Sequence, residues 1–305
     1  MSLTASPSVL PLRIGRRTLW RFERPLVRRR LTLEEGLAGR LPGLDPLPPG
    51  AAGYQLSALP AGWVADLRAA FPGLRVFVRQ RYRRSFASLD SDFDAYLAGF
   101  SAKSRSTLKR KVRRLAERSG GALDVRSYRT PEEIAAFHRD ARAISALSYQ
   151  ERLLDAGLPE GAEALDAMRA LAGRDAVRGW ILYIDGRPAS FLYAPAEGDT
   201  LIYAHLGYDP AFADLSPGAV LQFEAMRLLM EECRFRRFDF TEGDGRHKRL
   251  FATGSIDCVD LILLRPTPSN LAAGHALNGF DGAIALARRG TAALGLERVV
   301  RSLLR

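Results

Sequence analysis

The stretch Phe238-Asp-Phe-Thr-Glu-Gly-Asp-Gly-Arg-His-Lys-Arg-Leu-Phe251 gathers Asp239, Glu242, Asp244, His247 and Lys248. Carboxylates, an imidazole and an ammonium set this close can move protons and hold charge. Gly243 and Gly245 break the pattern, so the groups fall on a loop after a strand. In α/β sheets, ligands bind beyond that end of a strand. Ionisable groups of both signs are costly to bury unless solvated or paired, so a solvated loop of ordinary ion pairs is the alternative. Lys248 is the one lysine outside the segment 103–111.

A second segment, Gly207-Tyr-Asp-Pro-Ala-Phe-Ala-Asp-Leu-Ser-Pro-Gly-Ala-Val-Leu221, carries the signals of a strand end, a loop and a helix start. Ser216 can cap, Pro217 suits the first helical position, and Gly218 removes a Cβ. The first turn of a helix has unpaired N–H groups at a positive dipole end, which suits a phosphate. The alternative is a well-capped helix with no ligand.

These two segments need elements to hold them. Trp180–Ile184, the turn Asp185-Gly186 and Ala189–Tyr193 make a hairpin signal. Thr200–Tyr208 is predicted as a third strand, Pro217–Cys233 as a helix, and Arg237–Phe240 and Val259–Leu264 as further strands. Upstream, Leu74–Tyr82 alternates as a half-buried strand, Leu123–Tyr128 is a short strand, and Thr130-Pro-Glu-Glu133 opens a helix. Asp92–Ser119 is helical, with Leu108, Val112 and Leu115 on one stripe and Ser101 or Ser104 as a cap. Its other face carries Lys103, Arg105, Lys109, Arg110, Lys111, Arg113, Arg114 and Arg118 against the single acid Glu117. Such a surface repels itself without a counter-anion, so it either holds an acidic ligand or is simply solvated. The order of elements predicts an α/β fold with a mixed sheet.

Over 305 residues the chain has 45 Lys+Arg against 34 Asp+Glu, a net charge of +11, and 41 of the 45 cations are arginines. That balance favours acidic partners without naming one. Cys233 and Cys258 are the only cysteines, so a disulfide scaffold is excluded and core packing is expected for both. With four histidines at no ligand spacing, no metal is expected. The sequence carries neither a long apolar run nor a signal-peptide pattern, so the expectation is a cytoplasmic protein without stable membrane insertion. Residues 1–50, with eight arginines between Arg13 and Arg30 and the proline-rich stretch 41–50, are expected to be a basic extension and linker. The expected division is 1–50, an N-terminal α/β half at 51–129, a core at 130–265 and a helical tail at 266–305. In that tail Leu296, Val299 and Leu303 form one stripe.

Taken in order, Phe100-Ser-Ala-Lys-Ser-Arg-Ser-Thr-Leu-Lys-Arg-Lys-Val-Arg-Arg114, Gly207-Tyr208-Asp209, Leu215-Ser-Pro-Gly-Ala-Val-Leu221 and Asp239-Phe…Glu-Gly-Asp…Lys248 resemble the GNAT superfamily. The branch resembled is that of cellulose-biosynthesis-associated (CelD/BcsL-type) acetyltransferases related to the FemAB peptidyl transferases, over about residues 85–265. The chain has His247-Lys248 where that family commonly has Tyr-Lys. The resemblance implies a GNAT-like mixed sheet flanked by helices, with a smaller N-terminal α/β half in a FemAB-like tandem. It further implies acyl transfer from acetyl-CoA, as co-substrate and without a metal, to an amine such as an amino sugar or exopolysaccharide precursor. On that reading Ser216, Gly218, Ala219 and Val220 would hold the CoA pyrophosphate, and Leu206 and Gly207 would flank the pantetheine arm. Asp239, Glu242 and His247 are the candidates for the general base, Lys248 for charge stabilisation, and Tyr208 or His205 for protonating the thiolate. Lys109, Arg110 and Arg113, with His205, would meet a small-molecule or glycan amine acceptor, or tRNA in the FemAB-like route. A non-catalytic basic module binding nucleic acid or anionic lipid is the reading from a different class.

Overall fold

The computed structural model describes residues 6–14, 17–147, 157–243 and 245–293. Asp244 and the tail stripe at 296–303 lie outside the described residues. The chain divides into two compact units, 84–255 and a second made of 1–83 with 256–305. This differs from the expected division, because the chain leaves the first segment within strand β4 (Arg75–Ser88) and returns within β11 (Gly254–Leu264). The described residues 266–293 therefore belong with the N-terminal unit rather than forming a separate tail.

In the unit formed by both chain ends, β1 (Ser6–Ile14) and β2 (Arg17–Arg30) pair as an antiparallel hairpin. β2 runs parallel to β3 (Gly53–Pro60), and β3 pairs antiparallel with β11. The arginine-rich N-terminus is thus strand rather than a loose extension. The reason is visible in β2, where Leu26 and Val27 are buried in the unit's core while Arg28 and Arg30 stay exposed. Residues 41–48, where the prolines concentrate, have no regular secondary structure. Two short helices, α1 (Leu33–Leu37) and α2 (Val64–Ala70), complete the early part.

The unit 84–255 is a mixed sheet flanked by helices. Its strand order is β4, β10 (Arg237–Glu242), β8 (Thr200–Ile202), β7 (Arg187–Glu197), β6 (Val177–Ile184) and β5 (Asp124–Tyr128). All of these pairs are antiparallel except β8 with β10. β6 is buried along its whole length, and its side chains split by the period of two. Trp180, Leu182 and Ile184 enter one apolar cluster with helices α4 (Ala102–Arg118) and α7 (Pro217–Glu232). Ile181 and Tyr183 enter the other with α5 (Pro131–Leu147) and α6 (Ala162–Ala172). A sheet covered on both faces explains why β6 is a continuous apolar run rather than an alternating one.

The expected helix over Asp92–Ser119 is two helices. α3 (Phe93–Ala98) is capped by Asp92, and α4 is capped by Ser101, whose hydroxyl accepts from the Ser104 N–H. The expected single strand Thr200–Tyr208 also divides. β8 pairs with β7 at Leu201–Ala196, and β9 (His205–Tyr208) pairs with β7 one residue out of that register, at His205–Tyr193. The extra residue at 203–204 is a bulge that turns β9 away from the line of β8.

Candidate functional site

The bulge has a consequence for the sheet. β8 follows β10 as far as Ile202 opposite Asp239, whereas β9 pairs only with β7 among the described residues. The sheet therefore splits between β9 and β10, and the second edge of β9 carries main-chain groups with no partner strand. Gly207 sits on β9 because a Cβ there would lie 2.4 Å from Phe191 Cε1. His205 and Leu206 are half-buried, and Tyr208 is 41% exposed.

α7 opens beside β9. Ser216 precedes it in the left-handed region, φ 55°, and its side chain makes no capping bond, contrary to the expectation. Its carbonyl instead accepts from the N–H groups of Ala219 (3.1 Å) and Val220 (3.3 Å). With Ser216 N–H donating to the Ala213 carbonyl at 3.1 Å, three of the four amides assigned to a diphosphate are already bonded, and Gly218 N–H alone has no protein acceptor among the described residues. Gly218 also has a packing reason: a Cβ there would stand 3.0 Å from Leu206 Cδ2 and 3.7 Å from a Tyr208 ring carbon. One turn further on the same side of the helix, Gln222 is 2% exposed and neither its Oε1 nor its Nε2 has a partner. A buried, unpaired amide is rare in folded proteins and marks a place where a ligand or water completes the bonding.

β10 supplies the other wall. Asp239 is fully buried, its Oδ2 bound by Arg84 Nη2 at 2.6 Å and Nε at 3.1 Å, and its Oδ1 accepts from Thr241 N–H at 2.8 Å. A carboxylate occupied on both oxygens and sealed from solvent is a structural anchor rather than an accessible base. That corrects the expectation for Asp239. Immediately after it the register with β4 shifts by one residue and Thr241 takes φ 62°, a second bulge, at 240–242 of β10. Lys248, in the short helix α8 (Arg246–Phe251), donates to the carbonyls of Phe240 and Glu242, both at 2.6 Å, and to Thr241 Oγ1 at 3.4 Å. Its ammonium also stands 5.5 Å from the centre of the Tyr203 ring. Desolvation lowers the Lys248 pKa, while the charges of Glu242 and Asp239 pull it the other way. All three of its donors serve the bulge, so Lys248 fixes the backbone and does not present a free ammonium. Glu242 is exposed and its carboxylate makes no ion pair among the described residues.

His247 points differently. It lies 6.0 Å from the Tyr203 ring and lines a cleft of this unit. Its imidazole is held below the ordinary histidine value, first by lost hydration and second by the adjacent Lys248 charge. A histidine so placed is neutral at neutral pH and able to accept a proton.

The cleft measures about 1040 Å³, at the upper end of the ~300–1,000 Å³ usual for small-molecule sites. It brings together Ala219 from the opening of α7, His247 and Arg249 from α8, and Lys103, Thr107 and Lys111 from α4. Of the residues expected to meet the acceptor, Lys109, Arg110 and Arg113 are exposed on another side of α4 and do not line it. Arg113 is 3.6 Å from Glu117. The apolar stripe Leu108–Leu115 has a basic shoulder on each side, Lys103–Lys111 on one and Lys109–Arg113 on the other. Only the packing of α4 decides which shoulder borders the cleft. His205 lies outside the lining as well, its ring 6.2 Å from that of Tyr193. Cys258 is buried, but Cys233, expected in the core, is exposed at the end of α7. No group of three potential metal ligands occurs among the described residues, and no described helix is long and apolar enough to cross a membrane.

Residues 102–249 match the family model described as acetyltransferase (GNAT) domain. No curated protein is similar enough to the chain to match it. Among solved structures, FemX is similar at 11% identity and a TM-score of 0.52, over 70% of this chain and 72% of that one. The C-terminal domain of a protein from Agrobacterium fabrum, provisionally named lysylphosphatidylglycerol synthetase, is similar at 13% identity and a TM-score of 0.50, over 77% and 73%. At these identities the likeness is one of fold. The matched stretch lies inside the unit 84–255 and contains every candidate residue named above. Residues 102–249 are thus similar to a GNAT acetyltransferase domain, and the unit that holds them has a GNAT-like fold.

Proposed function

We propose that the protein is an acyl-CoA-dependent N-acyltransferase, taking acetyl-CoA as donor and an amine as acceptor. The observation that carries this reading is the meeting of Ala219, at the start of α7, with His247 in one cleft of a GNAT-like domain. The residues present fit the donor. Gly218 N–H and the buried Gln222 amide both want partners, and β9 has an open edge. A bound acyl thioester supplies an activated carbonyl carbon; the chain supplies position and protons.

In this reading Gly218 N–H donates to a phosphate oxygen, and the open edge of β9 holds the donor extended beside Leu206 and Gly207. His247 takes one proton from the incoming ammonium, and Tyr208, next to Gly218, gives its proton to the departing sulfur and regains one from the nitrogen that has bonded the acyl carbon. Glu242, exposed, relays the proton to water. Asp239 and Lys248 hold β10 in place for this work. The sequence resemblance to the exopolysaccharide-associated branch makes an amino sugar the expected acceptor class. Incubation with acetyl-CoA and a panel of amino sugars, followed by release of free thiol, tests the proposal. Turnover without any tRNA supports it, and turnover only with aminoacyl-tRNA replaces it.

A further inference from the structure

The α4 wall of the cleft carries charge that the acyl-transfer reading leaves unused. Lys103, Thr107 and Lys111 stand at i, i+4 and i+8, one stripe running about 12 Å along the helix. Arg249 of α8 lines the same space, and no Asp or Glu does so among the described residues. Other cations of α4 are engaged elsewhere. Arg105 donates to the carbonyls of Ala98 and Phe100, Arg114 pairs with Asp214 at 2.9 Å, and Arg118 pairs with Asp185 at 3.2 Å. Lys103 and Lys111 have no acidic partner among the described residues. Ammonium groups gathered on one concave wall repel one another until an anion arrives, and a concave site with low-dielectric walls strengthens that attraction.

We infer that this wall is a second anion site, and that the acceptor is an amine that also carries a phosphate or diphosphate, held by Lys103, Lys111 and Arg249. Calling the ligand an acceptor rests on the acyl-transfer reading; the anion site itself does not. Phosphate oxygens on the acyl donor would offer the same chemistry, so the test must separate the two sources.

Isothermal titration calorimetry of the full chain with inorganic pyrophosphate, at fixed ionic strength, is run alone and with CoA at saturation. Pyrophosphate is expected to bind in both conditions. Lys103→Gln with Lys111→Gln should weaken it tenfold or more while changing CoA affinity less than twofold. The charge-matched pair Lys109→Gln with Arg113→Gln, on the other shoulder, should leave pyrophosphate binding within twofold, and circular dichroism checks that both variants fold. Absence of pyrophosphate binding, its loss once CoA is bound, or equal effects of the two double variants would overturn the inference. Polyuridylate that binds more tightly than pyrophosphate and competes with it at these lysines would also overturn it, in favour of a nucleic-acid surface. Lysine-dependent pyrophosphate binding by a chain that fails to bind CoA would uphold the anion site and remove only the acyl-donor reading.

Discussion

Arg84 and Asp239, 155 residues apart, form an ion pair with side chains 2% and 0% exposed. It ties β4 to β10 at the point where the register shifts. Removing one partner of such a pair strands a buried charge and costs about 3–5 kcal/mol. Asp239→Ala should therefore lower the urea-unfolding free energy by about that much. Asp239→Leu combined with Arg84→Met should cost clearly less, because no charge is left unpaired. Equal losses in the single and double variants would contradict the assignment of Asp239 as an anchor.

Lys248 makes a separate prediction. Lys248→Met leaves the carbonyls of Phe240 and Glu242 without their donor, at a cost of about 1–3 kcal/mol for a buried unsatisfied group. Hydrogen exchange at 240–243 should rise in the variant while that of β6 stays unchanged. Faster exchange throughout the unit would mean that Lys248 does more than hold the bulge.

His247 is expected to set the acid limb of the rate profile. Its pKa lies below the ordinary histidine value, so the proton-accepting form accumulates as pH rises through that lowered value. Turnover should rise with pH there and level off before pH 7. His247→Gln should lower kcat by about 10²–10⁴-fold with little change in KM, and the rising limb should vanish. The same shift carries a stability sign. The unfolded state takes up the proton first, so stability is lost as pH falls from the unfolded value through the lowered folded one, and His247→Gln should flatten that dependence.

Gly218 can be tested by size. An added methyl crowds Leu206 Cδ2, the movable end of a side chain, at 3.0 Å, while a Tyr208 ring carbon at 3.7 Å and Ser190 Oγ at 3.9 Å stand at ordinary contact distance. Gly218→Ala should fold and bind acetyl-CoA within a few-fold of the parent. Gly218→Val, which needs more room against Leu206 and Tyr208, should weaken acetyl-CoA tenfold or more with the far-ultraviolet spectrum retained. Equal affinity in all three proteins would separate this turn from the donor.

Local patterns carried the parts of the fold that depend on neighbours in sequence. Pro217 marked the start of α7, Asp185-Gly186 the turn between β6 and β7, and Ser101 the cap of α4. What the sequence hid is non-local. The partner of Asp239 lies on a distant strand, and the role of Lys248 depends on a bulge that no periodicity announces. The N-terminal strands were masked because arginines crowd the few buried positions, Leu26 and Val27 among them. The choice between Lys109 and Lys111 turned on which shoulder of α4 faces the cleft. Their spacing from the apolar stripe is nearly symmetric, so helical geometry alone leaves that choice open.

The central claim is that an acyl-CoA lies against the start of α7 and the open edge of β9. Hydrogen–deuterium exchange of the full chain with and without saturating acetyl-CoA reads both places in one experiment. Slowed exchange at Gly218 and along 205–208, with little change in α5 and α6, is the predicted result. Protection confined to other elements, or none at all, would contradict it.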